Sequence, residues 1–451
     1  MQQTFGTQQA IGKYRWTICS LIFFATTINY IDRSVISFLK STFTDTLNWN
    51  DADYANVELA FKISYAAGLI VAGRVIDKIG TKIGYALSLI IWSLASIGHA
   101  FVRTVPGFIT ARSVLGVSEA GNFPAAIKTV AEWFPQKERA FATGIFNSGA
   151  NIGAIAAPLT VPFIVKAWGW QWAFIITGSF GLLWLLFWFI YYDVPQKQSR
   201  LSQTEYEYIH SDANERNDTE LQGPKLSWQK LLGYRQTWAF ATGKFLTDPV
   251  WWFYLFWLPD FLESQYGLKG TAVALPVALV YSLSTVGSVG GGWLPLNMIR
   301  NGSSAFKARK ISMLIYAFLV VPVVFAQLLG SINMWLAVVI IGLAAAAHQA
   351  WSANIFTTVS DMFPKNSTAS VTGIGGMFGA LGGILLTWLV QKNLFVHYRS
   401  IGKIEIAYYI MFVVCGAAYL FAWLVMHLLA PKMKRVDQAR GREIRNSNFE
   451  I

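Results

Sequence analysis

Charge is scarce in this chain of 451 residues: Asp, Glu, Lys and Arg make up 13% of it, against 54% for the apolar types. A water-soluble core of that length carries about a quarter charged residues, which argues against an ordinary cytosolic enzyme. Cysteine is nearly absent. The two present, Cys19 and Cys415, lie far apart in apolar runs with no CxxC and no neighbouring histidine pair, so neither a disulfide framework nor a zinc site is supported. The spans also lack an H-E-x-x-H, a nucleophile elbow and a phosphate-cradling glycine loop, and no cofactor, metal or covalent chemistry is expected. The formal net charge is +12, yet the basic residues sit between apolar segments and form no arm for nucleic acid. No cleavable leader is read either: the apolar run after Lys13 and Arg15 continues to about Leu39, too long for a signal h-region.

What the chain does have is long apolar windows. They fall at 15–39, 55–73, 83–101, 106–127, 140–165 and 170–192, then at 237–260, 270–293, 311–330, 334–360, 368–390 and 406–430. Each is near the length of about 20 residues that crosses a bilayer as a helix. This predicts an all-α membrane protein of two six-helix bundles, residues 1–192 and 237–430. They are joined by a polar loop, 193–236, holding Asp193, Glu205, Glu207, Asp212, Glu215, Asp218 and Glu220, and followed by a tail, 431–451. With the N-terminus inside, alternate loops hold 25 Lys and Arg on the inside and 7 on the outside. That bias places both termini in the cytoplasm. The tail residues Lys432, Lys434, Arg435, Arg440, Arg442 and Arg445 then read as an anchor at the anionic lipid surface.

The halves repeat. Phe134-Pro135, Ala140 and Thr143-Gly144 recur as Phe363-Pro364, Ala369 and Thr372-Gly373 at an offset of 229. Duplicated six-helix units mark a two-bundle transporter, with the substrate site between the bundles near the midplane.

Between the second and third windows runs Gly73-Arg-Val-Ile-Asp77-Lys78-Ile-Gly80-Thr-Lys82. It resembles the G-x3-D-[RK]-x-G-x-[RK] signature of the major facilitator superfamily, a turn that latches one conformational state. The glycines let helices approach, Asp77 can face a helix N-terminus, and Lys78 and Lys82 hold the inner surface. In the second half, Leu296 stands where another copy of the latch would carry an acid.

Ionisable side chains inside a bilayer are costly, and seven lie well within the windows: Asp32, Arg33, Lys62, Arg112, Glu119, Lys244 and Asp248. At 1.5 Å of rise per residue, Asp32, Arg33 and Arg112 share a depth roughly 7–8 Å outward of the midplane, with Lys62 and Glu119 within about one turn of it. Asp32 and Arg112 thus stand at a depth where they could pair. Three cations and two carboxylates carry a net +1 that an organic anion can neutralise, and arginine grips carboxylates in bidentate fashion. Internal ion pairs bracing the bundle, Asp32 with Arg112 and Glu58 with Lys62, are the competing account.

The runs Asn29-Tyr30-Ile31-Asp32-Arg33 and Arg112-x3-Gly116-x2-Glu119-x4-Pro124 resemble those of the anion:cation symporter branch of that superfamily. The resemblance implies that Asp32 and Glu119 are protonatable carboxylates, that Arg112 couples them, and that Tyr30 and Tyr65 donate to substrate. A carboxylate in low dielectric is harder to ionise, and an approaching guanidinium reverses the effect.

In the second half Lys244 and Asp248, four apart, read as a structural ion pair. Pro249 follows, with Trp251 and Trp252 as candidate platforms for a sugar ring. His348, Gln349, Trp351 and Asn354 in the tenth window, and Asn147 and Asn151 in the fifth, bring hydrogen-bonding groups toward the midplane, where interhelical bonding competes with ligand binding as the explanation. The run from Lys244 to Tyr254 resembles the hexuronate transporters of this branch. That implies a multi-pass protein of the bacterial inner membrane, working as a monomer, that imports a sugar-acid anion with a proton. Arg33, Lys62 and Tyr65 would hold the carboxylate, and Asn147, Asn151, His348, Gln349 and Asn354 the hydroxyls. An aldonate or aldarate is the alternative cargo.

Overall fold

The computed structural model describes residues 11–211, 226–268 and 270–436, and among these the secondary structure is helical, without strand. The first half comprises α1 (Tyr14–Ser34), α2 (Lys40–Leu47), α3 (Asp51–Ile79), α4 (Thr81–His99), α5 (Val105–Glu119), α6 (Asn122–Trp133), α7 (Gln136–Trp168) and α8 (Trp170–Tyr191). The short α9 (Gln203–Ile209) and α10 (Trp228–Gly233) lead to α11 (Arg235–Tyr266), α12 (Ala274–Arg300), α13 (Ala305–Val320) and α14 (Ala326–Ile332). The chain continues through α15 (Met334–Met362), α16 (Thr368–Leu389), α17 (Val396–Ser400) and α18 (Ile404–Leu429). With α5–α6 and α13–α14 each counted as one crossing, twelve segments have membrane length. Among the described residues nine stretches are long and apolar enough to cross on composition alone. The remaining crossings, α1, α5–α6 and α11, are the ones that carry Asp32, Arg33, Arg112, Glu119, Lys244 and Asp248. Asp212, Glu215, Asp218 and Glu220 of the connecting loop, Lys269, and Arg440, Arg442 and Arg445 of the tail lie outside the described residues.

The second crossing is longer than its apolar window. Helix α3 opens on a capping box, Asn50 with Asp53, and runs through Ile79, so Gly73 to Asp77 are helical. Gly80 alone makes the turn into α4, at φ 89°, a conformation that costs a residue without Cβ little. The fourth crossing is interrupted at Ala120 and Gly121. Pro124 explains the break: it has no N–H for the carbonyl of Ala120, and its ring occupies the space beside that carbonyl.

Helix pairs α7–α12 and α3–α16 join the two bundles through glycine. A Cβ at Gly73 would strike the Ala369 carbonyl, one at Gly144 the Ser288 carbonyl, and one at Gly292 the Ala140 carbonyl. Backbones approach that closely only where the side chain is missing. These contacts lie at the end of the molecule that holds both ends of the described chain. There Arg15 bonds Glu138 and Glu205, and Val436 N–H donates to the Met362 carbonyl.

Candidate functional site

Glu119, the last residue of α5, stands at the break and reaches α1. Its Oε2 accepts from Arg33 Nε at 3.1 Å, and the carboxylate is fully buried. The Arg33 guanidinium stands over three rings, Tyr30 at 4.8 Å, Phe61 at 5.2 Å and Tyr65 at 4.6 Å. Such a cage keeps the cation in place, and a second nitrogen of the guanidinium donates to Asn29 Oδ1 at 3.3 Å.

The pairing that depth allows between Asp32 and Arg112 does not form. Arg112 donates to Glu58 Oε1 at 2.5 Å and to the Arg33 carbonyl at 3.3 Å. Asp32 Oδ1 instead accepts from Ser96 of α4 at 3.2 Å. Shared depth does not decide a contact on a helix. Neighbours along the chain point about 100° apart, so Asp32 faces α4 while Arg33 faces α5. Asp32 Oδ2, Glu119 Oε1 and two nitrogens of Arg112 are buried without a hydrogen-bond partner. Lys62 Nζ lies 5.9 Å from the ring of Trp252, which belongs to the other bundle.

On the second bundle Lys244 Nζ pairs with Asp248 at 2.8 Å, one turn apart on α11. The His348 ring stacks on Trp251 with centroids 5.1 Å apart, and its Nδ1 bonds the Tyr419 hydroxyl. Between the bundles three amides form a ladder. Asn147 donates to Gln349 at 2.7 Å, and Gln349 donates to Asn151 at 3.2 Å.

These groups meet at a cavity between the bundles that is partly open to solvent. Its first-bundle wall includes Tyr30, Arg33, Tyr65, Phe123 and Asn147, and its second-bundle wall Lys244, Asp248, Trp251, Trp252, His348 and Gln349. A few polar groups converging in a largely aromatic cleft between helix bundles are the usual form of a small-molecule site. Lys244 and Asp248, read from the sequence as structural, therefore sit on the wall. Asp32, Glu119 and Arg112 lie behind it, and Asn151 stands off the wall, accepting from Gln349. Trp351 and Asn354 are off the wall. Trp351 packs edge-on against Tyr419, and Asn354 gives its amide to the Gly291 and Ala350 carbonyls. Sequence reasoning passed over Ser352, Phe356 and Thr372, which also line the cavity. It named Glu58 only as a partner for Lys62.

Away from the cavity, the motif that resembles the latch bridges the two bundles. Asp77 Oδ2 accepts from the backbone N–H and hydroxyl of Ser370, in the first turn of α16, at 2.7 and 2.6 Å, and its Oδ1 pairs with Lys128 at 2.9 Å. Lys82 pairs with Asp193 at 2.9 Å. A second tie was not anticipated: Asp361, fully buried, pairs with Arg309 of its own bundle and with Arg139 of the other at 3.3 Å. This tie sits on α15, apart from Leu296 on α12. The 229-residue repeat carries the signal, since it maps Glu132 onto position 361. Among the described residues no cluster of three or more His, Cys, Asp or Glu is disposed to hold a metal ion.

Comparison with known proteins fits this geometry. The sequence model of the Major Facilitator Superfamily matches residues 22–387. A protein named hexuronate transporter from Escherichia coli K12 is 31% identical over 377 residues, 83% of this chain and 87% of that protein. One named galacturonate transporter from Dickeya chrysanthemi is 34% identical over 282 residues, 62% of this chain and 81% of that protein. Among solved structures, the proton:xylose symporter XylE superposes with a TM-score of 0.70 at 15% identity, covering 93% of this chain and 97% of that one. Two six-helix halves, a latch motif that bridges them and a central cavity agree with these likenesses: the chain belongs to the Major Facilitator Superfamily, as a membrane transporter and not an enzyme.

Proposed function

We propose that this protein imports a hexuronate such as glucuronate or galacturonate with protons, by alternating access. The observation that carries the reading is the cavity wall itself. A caged arginine, Arg33, faces a second wall of indole, imidazole and amide groups, which suits a ligand with a carboxylate at one end and hydroxyls along its body. Relatives named for hexuronate, galacturonate and D-galactonate transport support a sugar acid as cargo. Arg33 and Tyr65 hold the carboxylate, with Lys62 adding charge from one layer back. Asn147, Gln349 and His348 take the hydroxyls. Asn151 positions Gln349, and Asn354 serves helix packing.

Glu119 and Asp32 carry the coupling protons. Glu119 touches Arg33 directly, so an arriving substrate carboxylate competes with it for the guanidinium. A protonated Glu119 yields that place more readily than an ionised one. With the termini in the cytoplasm, the latched end faces inward, and this state receives substrate from outside.

Proteoliposomes containing the purified protein should accumulate labelled glucuronate faster when the outside is the more acidic side. Asp32→Asn protein should lose gradient-driven accumulation. Should that variant still concentrate substrate, the coupling role of Asp32 is wrong; should the unsubstituted protein take up no sugar acid, the reading as a whole is wrong.

A further inference from the structure

Three charged side chains line the cavity among the described residues: Arg33 on the first bundle, and Lys244 and Asp248 on the second. Arg33 has a partner that a proton can remove, Glu119 at 3.1 Å behind the wall. The charge of Lys244 is matched by Asp248 in the wall itself, at 2.8 Å. That second pair is boxed in. The ring of Phe356 lies 4.0 Å from Lys244 Nζ, and Gly379 of α16 stands so close to Asp248 that a Cβ there would meet its carboxylate.

The two poles therefore offer different chemistry. At Arg33 an anion finds a guanidinium whose own counter-charge can be neutralised. At the opposite wall a ligand finds a cation already satisfied and a carboxylate that only accepts. A hydroxyl suits that wall, because it can donate to Asp248 and accept from Lys244. A second carboxylate does not suit it. It must displace Asp248 from Lys244, leaving one of two anions without a partner in a low-dielectric site.

Resting on the reading of this cavity as a sugar-acid site, we infer that Asp248 sets the substrate class: the protein takes polyhydroxy monocarboxylates and excludes dicarboxylates. Uronates and aldonates fall on the accepted side, and aldarates on the excluded one.

Competition against labelled glucuronate uptake by the full-length protein in proteoliposomes tests this. Unlabelled glucuronate and galactonate should compete at concentrations about tenfold or more below galactarate, given the cost of opposing like charges. Asp248→Asn removes the opposing charge and leaves Lys244 uncompensated, so galactarate should come within about threefold of glucuronate. Asp248→Glu keeps the charge and should keep the gap. Thermal-shift titration of the unsubstituted protein with the same three acids should give the same order, and does not depend on any variant folding. Equal competition by galactarate and glucuronate, or an Asp248→Asn protein with an unchanged gap, overturns the inference while leaving sugar-acid transport standing. Failure of all three acids to compete overturns both.

Discussion

Asp77 of the first bundle is bound twice by Ser370 of the second, through the backbone N–H at 2.7 Å and the hydroxyl at 2.6 Å. Its other oxygen holds Lys128 at 2.9 Å, so one carboxylate ties together α3, α6 and α16. Asp77→Ala leaves Lys128 buried without its partner and α16 without its anchor. Lys128 shares a bundle with Asp77 and loses its partner in every state, so the latched state should be weakened selectively by the loss of the Ser370 hydrogen bonds, about 1.5–3 kcal/mol. Spin labels on α3 and α16 near the latch should report a longer mean distance in the variant. An unchanged distance distribution would show that Asp77 does not hold the ends together.

Gly292 tests the same closure without charge. A Cβ there would meet the carbonyl of Ala140 and the Cα of Phe141, both backbone atoms that cannot swing aside. Gly292→Val should prop the latched ends apart and slow glucuronate exchange by about tenfold or more, since packed interfaces resist added volume. Exchange at the unsubstituted rate would mean that α7 and α12 need not approach this closely.

Arg33→Gln removes the caged cation while keeping a polar group of similar reach. Affinity for glucuronate in thermal-shift titration should fall by about 30-fold, the size of a ~2 kcal/mol anchor. Arg33→Lys should recover only part of it, because an ammonium lacks the planar fork. Full recovery by lysine would point to charge alone.

Lys82, in the first turn of α4, pairs at 2.9 Å with Asp193, which lies beyond the end of α8 and outside the membrane-spanning segments, with both side chains about one-third exposed. Burial pushes the Asp193 carboxyl up, but the hydrogen bonds from Lys82 and the Val194 N–H outweigh it, and the net direction is below the ordinary value of 3.8. A depressed carboxyl contributes stability above its unfolded value and loses it as pH falls through the folded one. Asp193→Asn should therefore cost no more than ~1 kcal/mol near neutrality, with the difference closing below about pH 4. Thermal melts of both proteins at the two extremes check it; a gap that persists in acid contradicts the assignment.

The apolar windows located the crossings because a bilayer admits few ways to satisfy backbone polar groups, so hydropathy reports the fold directly. The site was legible in part. Arg33 stands out by depth, a coordinate that sequence supplies, Asn147, His348 and Gln349 as hydrogen-bonding groups toward the midplane, and Tyr30 and Tyr65 through the motif resemblance; all six line the cavity. Rotation about the helix axis is not supplied, which is why Asp32 was matched to Arg112 and Asn354 was placed among the ligand groups. The tie through Asp361, Arg139 and Arg309 escaped for a different reason. All three stand at helix ends, where charge normally meets water, and only the packing of two bundles buries them.

The ladder of Asn147, Gln349 and Asn151 bears on how the halves move. Its rungs are neutral, so a rocking motion there exchanges one dipole for another and separates no ions in oil. The ionic ties lie instead along the rim beside the chain ends, where water can enter and solvate each charge as it parts. Among the described residues the cross-bundle ion pair Arg139–Asp361 stands at that rim, so parting the halves would strand no charge in the lipid interior.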